Sequence, residues 1–183
     1  MRVTIGSSSN DLIDDKYKES AGRLLNYLVT IPSVQLNWGS GSGSIMGLCY
    51  KKFAETGHTI FGYTTKKYVN DLVNLSKAKH KILDTTYDLK KEMMYDGDIT
   101  VILAGGTGTI SEFFGHLEEN RSNDSNKLLI LWNEDHFFDS LLSLIDELVD
   151  KKFNNKTIYD YFKVANSIEE FKSILKENGC EVN

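Results

Sequence analysis

The amino-acid sequence predicts an α/β protein with a Rossmann-like three-layer fold, in which a mostly parallel β-sheet is flanked by helices on both faces. The first observation behind this prediction is that short strand-like runs alternate with stretches of helical periodicity along the whole chain. Strands separated by helices are typical of right-handed βαβ crossovers, which place the strands parallel in one sheet. The second observation is size, because 183 residues of which 40% are hydrophobic suffice for one well-buried core and are few for two. We therefore expect residues 1–183 to form a single domain.

The first half of the chain predicts three strands and two helices. Short β-branched and apolar runs predict strands over residues 3–5, 34–38 and 59–63. Apolar residues at helical spacing predict helices over residues 17–28 and 45–53. Gly57 is well placed to end the second helix. The following residues, 64–81, are polar and weakly periodic, so they are predicted to form a loop with at most a short helix.

The second half continues the same alternation. Strand-like runs occur over residues 82–83, 98–103, 127–132 and 161–164. Helical spacing of apolar residues predicts helices over residues 87–94, 138–149 and 168–175. A further helix is predicted directly after the central strand, 98–103, with Glu112 in its first turn.

Composition excludes several classes of partner. A net charge of -5 and a pI near 5.4 argue against nucleic acid, because proteins that bind it usually carry a basic face. No apolar stretch approaches the roughly 20 residues of a membrane span, and the first residues lack the apolar core of a signal peptide. Cys49 and Cys180 lie far apart without a CxxC motif or nearby histidines, so neither a disulfide framework nor a zinc site is indicated. These features predict a cytoplasmic protein that contacts no membrane.

The segment 103–112 is the strongest functional signal in the chain. Its three glycines and two threonines follow a β-branched run and precede a helical pattern. Glycines keep side chains away from a bound anion, and the start of a helix offers unpaired N–H groups and the positive end of the helix dipole. A phosphate is therefore predicted to bind at Gly105–Thr109, with the Glu112 carboxylate close to whatever carries that phosphate.

Two upstream turns have the same character. Gly6–Ser9 follows the first strand, and the segment 39–44 follows the second with glycines at alternate positions. Such turns meet at the carboxyl edge of a parallel sheet, where ligands bind. The chain contains no GxxxxGK[ST] motif, and Ser44 stands where GxGxxG requires its last glycine, so a nicotinamide-dependent dehydrogenase is not supported. A mononucleotide held by several short turns fits this pattern better.

These three turns resemble the signatures of the LOG (Lonely Guy) family, often labelled "lysine decarboxylase". The matching segments are Gly6–Ser8, residues 38–47 ending Ser44-Ile45-Met46-Gly47, and residues 104–112. The family consists of nucleoside 5'-monophosphate phosphoribohydrolases, which release a base from its ribose 5-phosphate. The resemblance implies a Rossmann-like homodimer or larger homo-oligomer that needs neither metal nor nicotinamide.

The resemblance also implies a set of site residues. Glu112 is expected to face the ribose and to stabilise the oxocarbenium-like transition state of N-glycosidic cleavage. Lys90 is expected to assist it as the second catalytic residue, with Lys91 as the alternative lysine in place of the family arginine. The residues expected to bind the nucleotide and its phosphate are Gly105, Gly106, Thr107, Gly108, Thr109, Ser7, Ser8, Gly41, Ser42 and Met46. His116, one helical turn after Glu112, is the only histidine expected on the same helix face.

Two positions depart from the family pattern and leave an alternative open. Ala104 stands where the glycine motif of the family begins with proline, which loosens the turn and retains its amides. Leu89 stands at the position of the family arginine, followed by Lys90, and a lysine lacks the planar two-pronged fork of arginine. The alternative is a non-catalytic nucleotide-binding or sensor protein of the same superfamily. Decarboxylation is not supported, because no lysine lies in a recognisable pyridoxal-phosphate context.

Overall fold

A computed structural model describes residues 1–122 and 125–180, which form one parallel β-sheet between two layers of helices. The strands of this sheet are β1 (Arg2–Gly6), β2 (Gln35–Trp38), β3 (Thr59–Thr65), β4 (Ala78–Leu83), β5 (Ile99–Ile102), β6 (Leu128–Trp132) and β7 (Lys163–Ala165). The helices that connect them are α1 (Asp15–Leu28), α2 (Ser44–Glu55), α3 (Thr86–Asp96), α4 (Thr107–Ser122), α5 (Asp139–Asp150) and α6 (Ile168–Glu177). Short 3-10 helices cover Lys66–Asn74 and Lys156–Asp160. The predicted Rossmann-like α/β class is confirmed, and every strand pair within the described residues is parallel.

Among the described strands, the winding direction of the sheet reverses at a single point. The strand order is β4-β3-β2-β1-β5-β6-β7, so the chain moves outward from β1 in one direction and then returns to the centre at β5. In open α/β sheets, ligands bind beyond the carboxyl ends of the strands at this reversal. The carboxyl ends of β1 and β5 therefore mark the expected site.

Each face of the sheet carries its own core. One core packs α1 and α2 on the sheet through fully buried side chains such as Leu24, Leu25 and Phe53. The other packs α4 and α5 through Phe113 and Ile145. These cores hold the strands and the turns at their carboxyl ends in fixed positions. None of the helices described is both long enough and apolar enough to cross a membrane.

The structure corrects two details of the sequence prediction. Residues 64–81, predicted as a loop with at most a short helix, contain the short 3-10 helix but also most of β4, whose lysines at 79 and 81 are exposed. An edge strand with exposed lysines lacks the apolar pattern of a buried strand, so the sequence predicts only its last two residues, 82–83, as a strand. Helix α4 begins at Thr107, so Glu112 lies in its second turn rather than its first.

Candidate functional site

A cleft of about 290 Å³ opens at the carboxyl ends of β1 and β5, where the sheet reverses. Three chain segments form its walls: the turn after β1, the first turn of α4 with the residues before it, and parts of the region between β2 and α2. The residues lining it are Ile5, Ser7, Ser8, Ser9, Asn10, Gly39, Met46, Gly106, Thr107, Gly108, Thr109 and Glu112. Seven of the predicted binding residues thus lie together with the predicted catalytic glutamate.

The start of α4 forms one wall of this cleft and offers free amides. The first backbone bond at this end runs from the Ile110 amide to the Gly106 carbonyl, 3.0 Å apart. Within residues 1–122 and 125–180, no acceptor is recorded for the amides of Thr107, Gly108 and Thr109, and the first turn carries no acidic residue. Unpaired amides at the positive end of a helix dipole are the usual binding groups for a phosphate.

The glycines of this turn fall into two kinds. A Cβ atom added to Gly106 or Gly108 would meet no atom within 4 Å. Neither residue has a positive φ, so neither packing nor backbone conformation requires glycine there. A Cβ added to Gly105 would instead lie 2.2 Å from Oγ1 of the buried Thr109. Gly105 therefore supports the packing of the turn, whereas the other two leave open space within the cleft.

Backbone hydrogen bonds fix the turn after β1 to both of its neighbours. The Ser8 amide donates to the Ala104 carbonyl at 3.0 Å, and the Ser8 carbonyl accepts from the Met46 amide at 3.0 Å. The Ser8 hydroxyl accepts from the Asn10 amide at 3.1 Å. The three glycine- and serine-rich turns predicted from sequence therefore meet at one place.

The N-terminus of α2 differs from that of α4 because the chain itself occupies it. The Ser44 amide donates to Oδ1 of Asp11 at 2.6 Å, and the Met46 amide is bound to Ser8. Two predicted binding residues in this turn do not line the cleft. Gly41 lies against the Met46 side chain, whose sulfur would be 2.7 Å from an added Cβ, and the Ser42 carbonyl packs against the backbone of Gly47.

Glu112 lies between the cleft and a second cavity. Its carboxylate rests on the backbone at the end of β1, where a Cβ added to Gly6 would lie 2.6 Å from Oε2 of Glu112. Burial raises the pKa of Glu112 to about 7, and the nearby Lys90 ammonium opposes this increase. A carboxyl group with a pKa near neutrality is suited to acid–base chemistry at physiological pH.

Lys90 reaches the start of α4 from the neighbouring helix α3. Its Nζ donates to the Gly108 carbonyl at 3.3 Å, and its charge acts on Glu112. Leu89, which the resemblance to the LOG family places at the position of the family arginine, lines neither cavity, whereas Lys90 lines the second one. The structure therefore brings the two predicted catalytic residues to the same part of the molecule.

The second cavity is a groove of about 510 Å³ between α3 and α4. It is lined by Tyr87, Lys90, Lys91, Met94, Tyr95, Ser111, Glu112, Gly115, His116, Glu118 and Glu119. The sequence predicts site roles for Lys90, Glu112 and His116 of this set. It does not predict one for Tyr87 or Tyr95, because these aromatic residues lie on α3 and belong to no motif. His116 does lie on the Glu112 side of α4, as its spacing of four residues predicts.

Comparison with known proteins identifies the family of this chain. A family model described as "possible lysine decarboxylase" matches residues 46–175. Cytokinin riboside 5'-monophosphate phosphoribohydrolase LOG2 of Arabidopsis thaliana is 28% identical over 176 residues, which cover 96% of this chain and 81% of the relative. The enzyme of the same name designated LOG7, also from Arabidopsis thaliana, is 30% identical over 152 residues, which cover 82% and 69% of the two chains.

Solved structures with the same fold include two that share little sequence identity. The molybdenum cofactor binding protein of Rippkaea orientalis has a TM-score of 0.70 at 13% identity, covering 97% of this chain and 96% of that one. The molybdenum cofactor carrier protein of Chlamydomonas reinhardtii has a TM-score of 0.64 at 15% identity, covering 98% of both chains. These likenesses show the fold alone. The match to the family model spans well over half of the sequence, and the chain therefore belongs to the LOG family, whose model carries the "lysine decarboxylase" description.

Proposed function

We propose that this protein hydrolyses the N-glycosidic bond of a nucleoside 5'-monophosphate, releasing the free base and ribose 5-phosphate. The observation that carries this proposal is the position of Glu112, which lines both the cleft and the groove. A ligand whose phosphate lies in the cleft and whose base enters the groove must pass its ribose beside this carboxylate. The activity named for the plant relatives supports the same reaction.

The phosphate binds at the start of α4. The free amides of Thr107, Gly108 and Thr109 provide donors in a row, and the helix dipole favours the negative charge. The N-terminus of α2 is less suited to this role, because the Asp11 carboxylate already accepts from the Ser44 amide. Ser7, Ser8 and Met46 complete the wall of the cleft opposite α4. Gly41 and Ser42 lie outside the cleft and pack against Met46 and Gly47.

Glu112 acts on the ribose. As the C1'–N bond breaks, positive charge develops on the sugar ring, and an ionised carboxylate beside it stabilises that charge. The same carboxylate accepts a proton from the water that adds to C1', while the departing base takes up a proton from solvent, and Glu112 later returns its own proton to solvent. Lys90 donates a hydrogen bond to the Gly108 carbonyl. Its positive charge also favours the ionised form of Glu112.

The experiment that tests this proposal is incubation of the purified protein with AMP, GMP, CMP and UMP, followed by chromatographic detection of free base and ribose 5-phosphate. We expect at least one nucleotide to yield the two products in equal amounts. Binding without product would favour a second candidate, a non-catalytic nucleotide-binding or sensor protein. The observation that favours this second candidate is Leu89 at the position of the family arginine, since Lys90 cannot offer the same paired hydrogen bonds.

We also propose that the protein acts as a homodimer or larger homo-oligomer in the cytoplasm. Tyr87 and Tyr95, which line the groove from α3, are 76% and 49% exposed, and Phe114 on α4 is 36% exposed. A second copy of the chain would cover the outer faces of these rings, while their inner faces border the groove. Cys49 and Cys180 are both unpaired, which fits a reducing compartment.

Replacing Tyr87 by glutamate should shift the protein toward the monomer, because the new charge would lie in the interface between copies. Light scattering coupled to size-exclusion chromatography measures this shift. The matched control is Phe153→Glu, which changes a side chain of the same 76% exposure outside the groove and should leave the mass unchanged. Equal masses for both variants and the parent protein would contradict an interface at this place.

A further inference from the structure

His116 is a buried histidine on the wall of the groove. It lies on α4, four residues after Glu112, and is only 5% exposed. Its Nδ1 is 3.0 Å from Oγ1 of Thr100, a buried residue of β5. Nε2 has no hydrogen-bonding partner among the residues that the structure describes. Because the Nδ1 edge is turned toward the sheet, the opposite edge of the ring, with Nε2, is what His116 presents to the groove.

The ring is held in its neutral form. Burial and the charge of Lys127 lower the pKa of His116 to about 4, although Glu119 opposes this effect. A neutral imidazole carries one N–H donor and one acceptor. The Thr100 hydroxyl can donate or accept, so Nε2 is able to act as either a donor or an acceptor toward a ligand.

The order of groups along α4 matches the order of groups in a nucleotide. Gly108, Glu112 and His116 are spaced by four residues each, which corresponds to steps of about 6 Å along the helix axis. Gly108 lies at the proposed phosphate site, Glu112 borders both cavities, and His116 lies in the groove beyond. The phosphate, ribose and base of a nucleotide follow one another in the same direction.

We propose that His116 is a specificity-determining residue that hydrogen-bonds the base through Nε2. This inference rests on the proposed function, because it places the base in the groove. The aromatic rings of Tyr87 and Tyr95 also line the groove and offer flat apolar surfaces to a heterocycle. His116 supplies the polar contact that such surfaces lack and that distinguishes one base edge from another.

The test compares ligands with and without a base. Calorimetric titration measures the affinity of the tightest-binding nucleotide among AMP, GMP, CMP and UMP, and of ribose 5-phosphate, which has no base. The parent protein for this test carries Glu112→Gln so that the nucleotide is not consumed. Into it are introduced His116→Phe, which keeps a flat ring without nitrogen atoms, and His116→Gln, which keeps a hydrogen-bonding group.

We expect His116→Phe to weaken nucleotide binding by roughly 3- to 10-fold, the effect of one neutral hydrogen bond, and to leave ribose 5-phosphate binding unchanged. His116→Gln should lose less nucleotide affinity than His116→Phe, because glutamine keeps a hydrogen-bonding group. Unchanged ribose 5-phosphate binding also shows that the variant is folded. Equal losses for the two ligands, or no loss for either, would overturn the role of His116. If neither ligand bound the parent protein, the proposed function would fail, and this inference with it.

Discussion

Replacing Glu112 by glutamine should lower the rate of nucleotide hydrolysis by roughly 100- to 10,000-fold, the usual contribution of a positioned acid–base group. Glutamine has nearly the same shape, but it carries no charge to stabilise the sugar cation and accepts no proton from water. Steady-state release of the free base measures this effect. Ribose 5-phosphate should still bind, because its phosphate contacts lie on α4.

The same residue should set the pH dependence of the rate. Because the ionised carboxylate is the active form and its pKa is about 7, the rate should rise with pH through 7 and level off above it. This rise should be absent from the residual activity of Glu112→Gln. A change in rate caused by ionisation of the substrate phosphate would occur in both proteins. A change caused by ionisation of Glu112 would occur in the natural protein alone.

Glu112 should also make the protein less stable as the pH rises. Its pKa is about 7 in the folded chain against an ordinary value of 4.5, so the folded state binds this proton more tightly than the unfolded state. The stabilising contribution of the proton is fully present below pH 4.5 and is lost as the pH rises through 7. Between pH 5 and pH 8, the melting temperature of Glu112→Gln should therefore rise relative to that of the natural chain.

The control for the hydrolysis rate and for its pH dependence is Glu55→Gln. Glu55 is the last residue of α2, at the end away from the cleft, and forms an exposed ion pair with Lys51 at 4.0 Å. This variant should retain the rate and the pH profile of the natural protein. A Glu112→Gln variant with full activity would show that the carboxylate has no role in the reaction.

Replacing Gly108 by alanine should abolish tight phosphate binding without harming the fold. The Cβ of a helical residue points toward the helix N-terminus, which here is the proposed position of the phosphate. Losing two charge-assisted hydrogen bonds costs about 3 kcal/mol, so ribose 5-phosphate affinity should fall by roughly 100-fold or more. The added Cβ meets no atom within 4 Å, and alanine favours helix by up to about 1 kcal/mol over glycine, so the free energy of unfolding should be equal or higher.

Gly115→Ala is the matched control for this prediction. Gly115 lies on the same helix, and an added Cβ again meets no atom within 4 Å, but the residue is two helical turns beyond the phosphate turn. This variant should be at least as stable as the natural chain and should bind ribose 5-phosphate with unchanged affinity. Equal affinity in the Gly108→Ala variant would show that the phosphate binds elsewhere.

Local sequence patterns predicted most of the fold because each buried strand and helix carries its own periodicity. The central strand β5, for example, is four consecutive buried apolar or β-branched residues, and this signal is independent of the rest of the chain. The edge strand β4 shows such a signal only at its last two residues, 82–83, since lysines alternate along the rest and pairing with β3 determines its structure. Tertiary pairing, rather than local propensity, decides such segments.

The candidate site was predictable where it consists of backbone and less so where it depends on distant contacts. The glycine turn before α4 follows from its composition and position after a strand. By contrast, Asp11 binds the start of α2 from 33 residues away, which explains why one turn is occupied and the other is open. The approach of Lys90 to Gly108 and the position of His116 in the groove likewise depend on how α3 and α4 pack.

The most direct test of N-glycosidic hydrolysis is product analysis with AMP, GMP, CMP and UMP on the natural chain and on Glu112→Gln in parallel. Free base and ribose 5-phosphate are quantified by chromatography over the same time course. We expect the natural chain to release both products in equal amounts from at least one nucleotide and Glu112→Gln to release almost none. Nucleotide binding with no release of base by the natural chain would contradict hydrolysis and would identify the protein as a binding module.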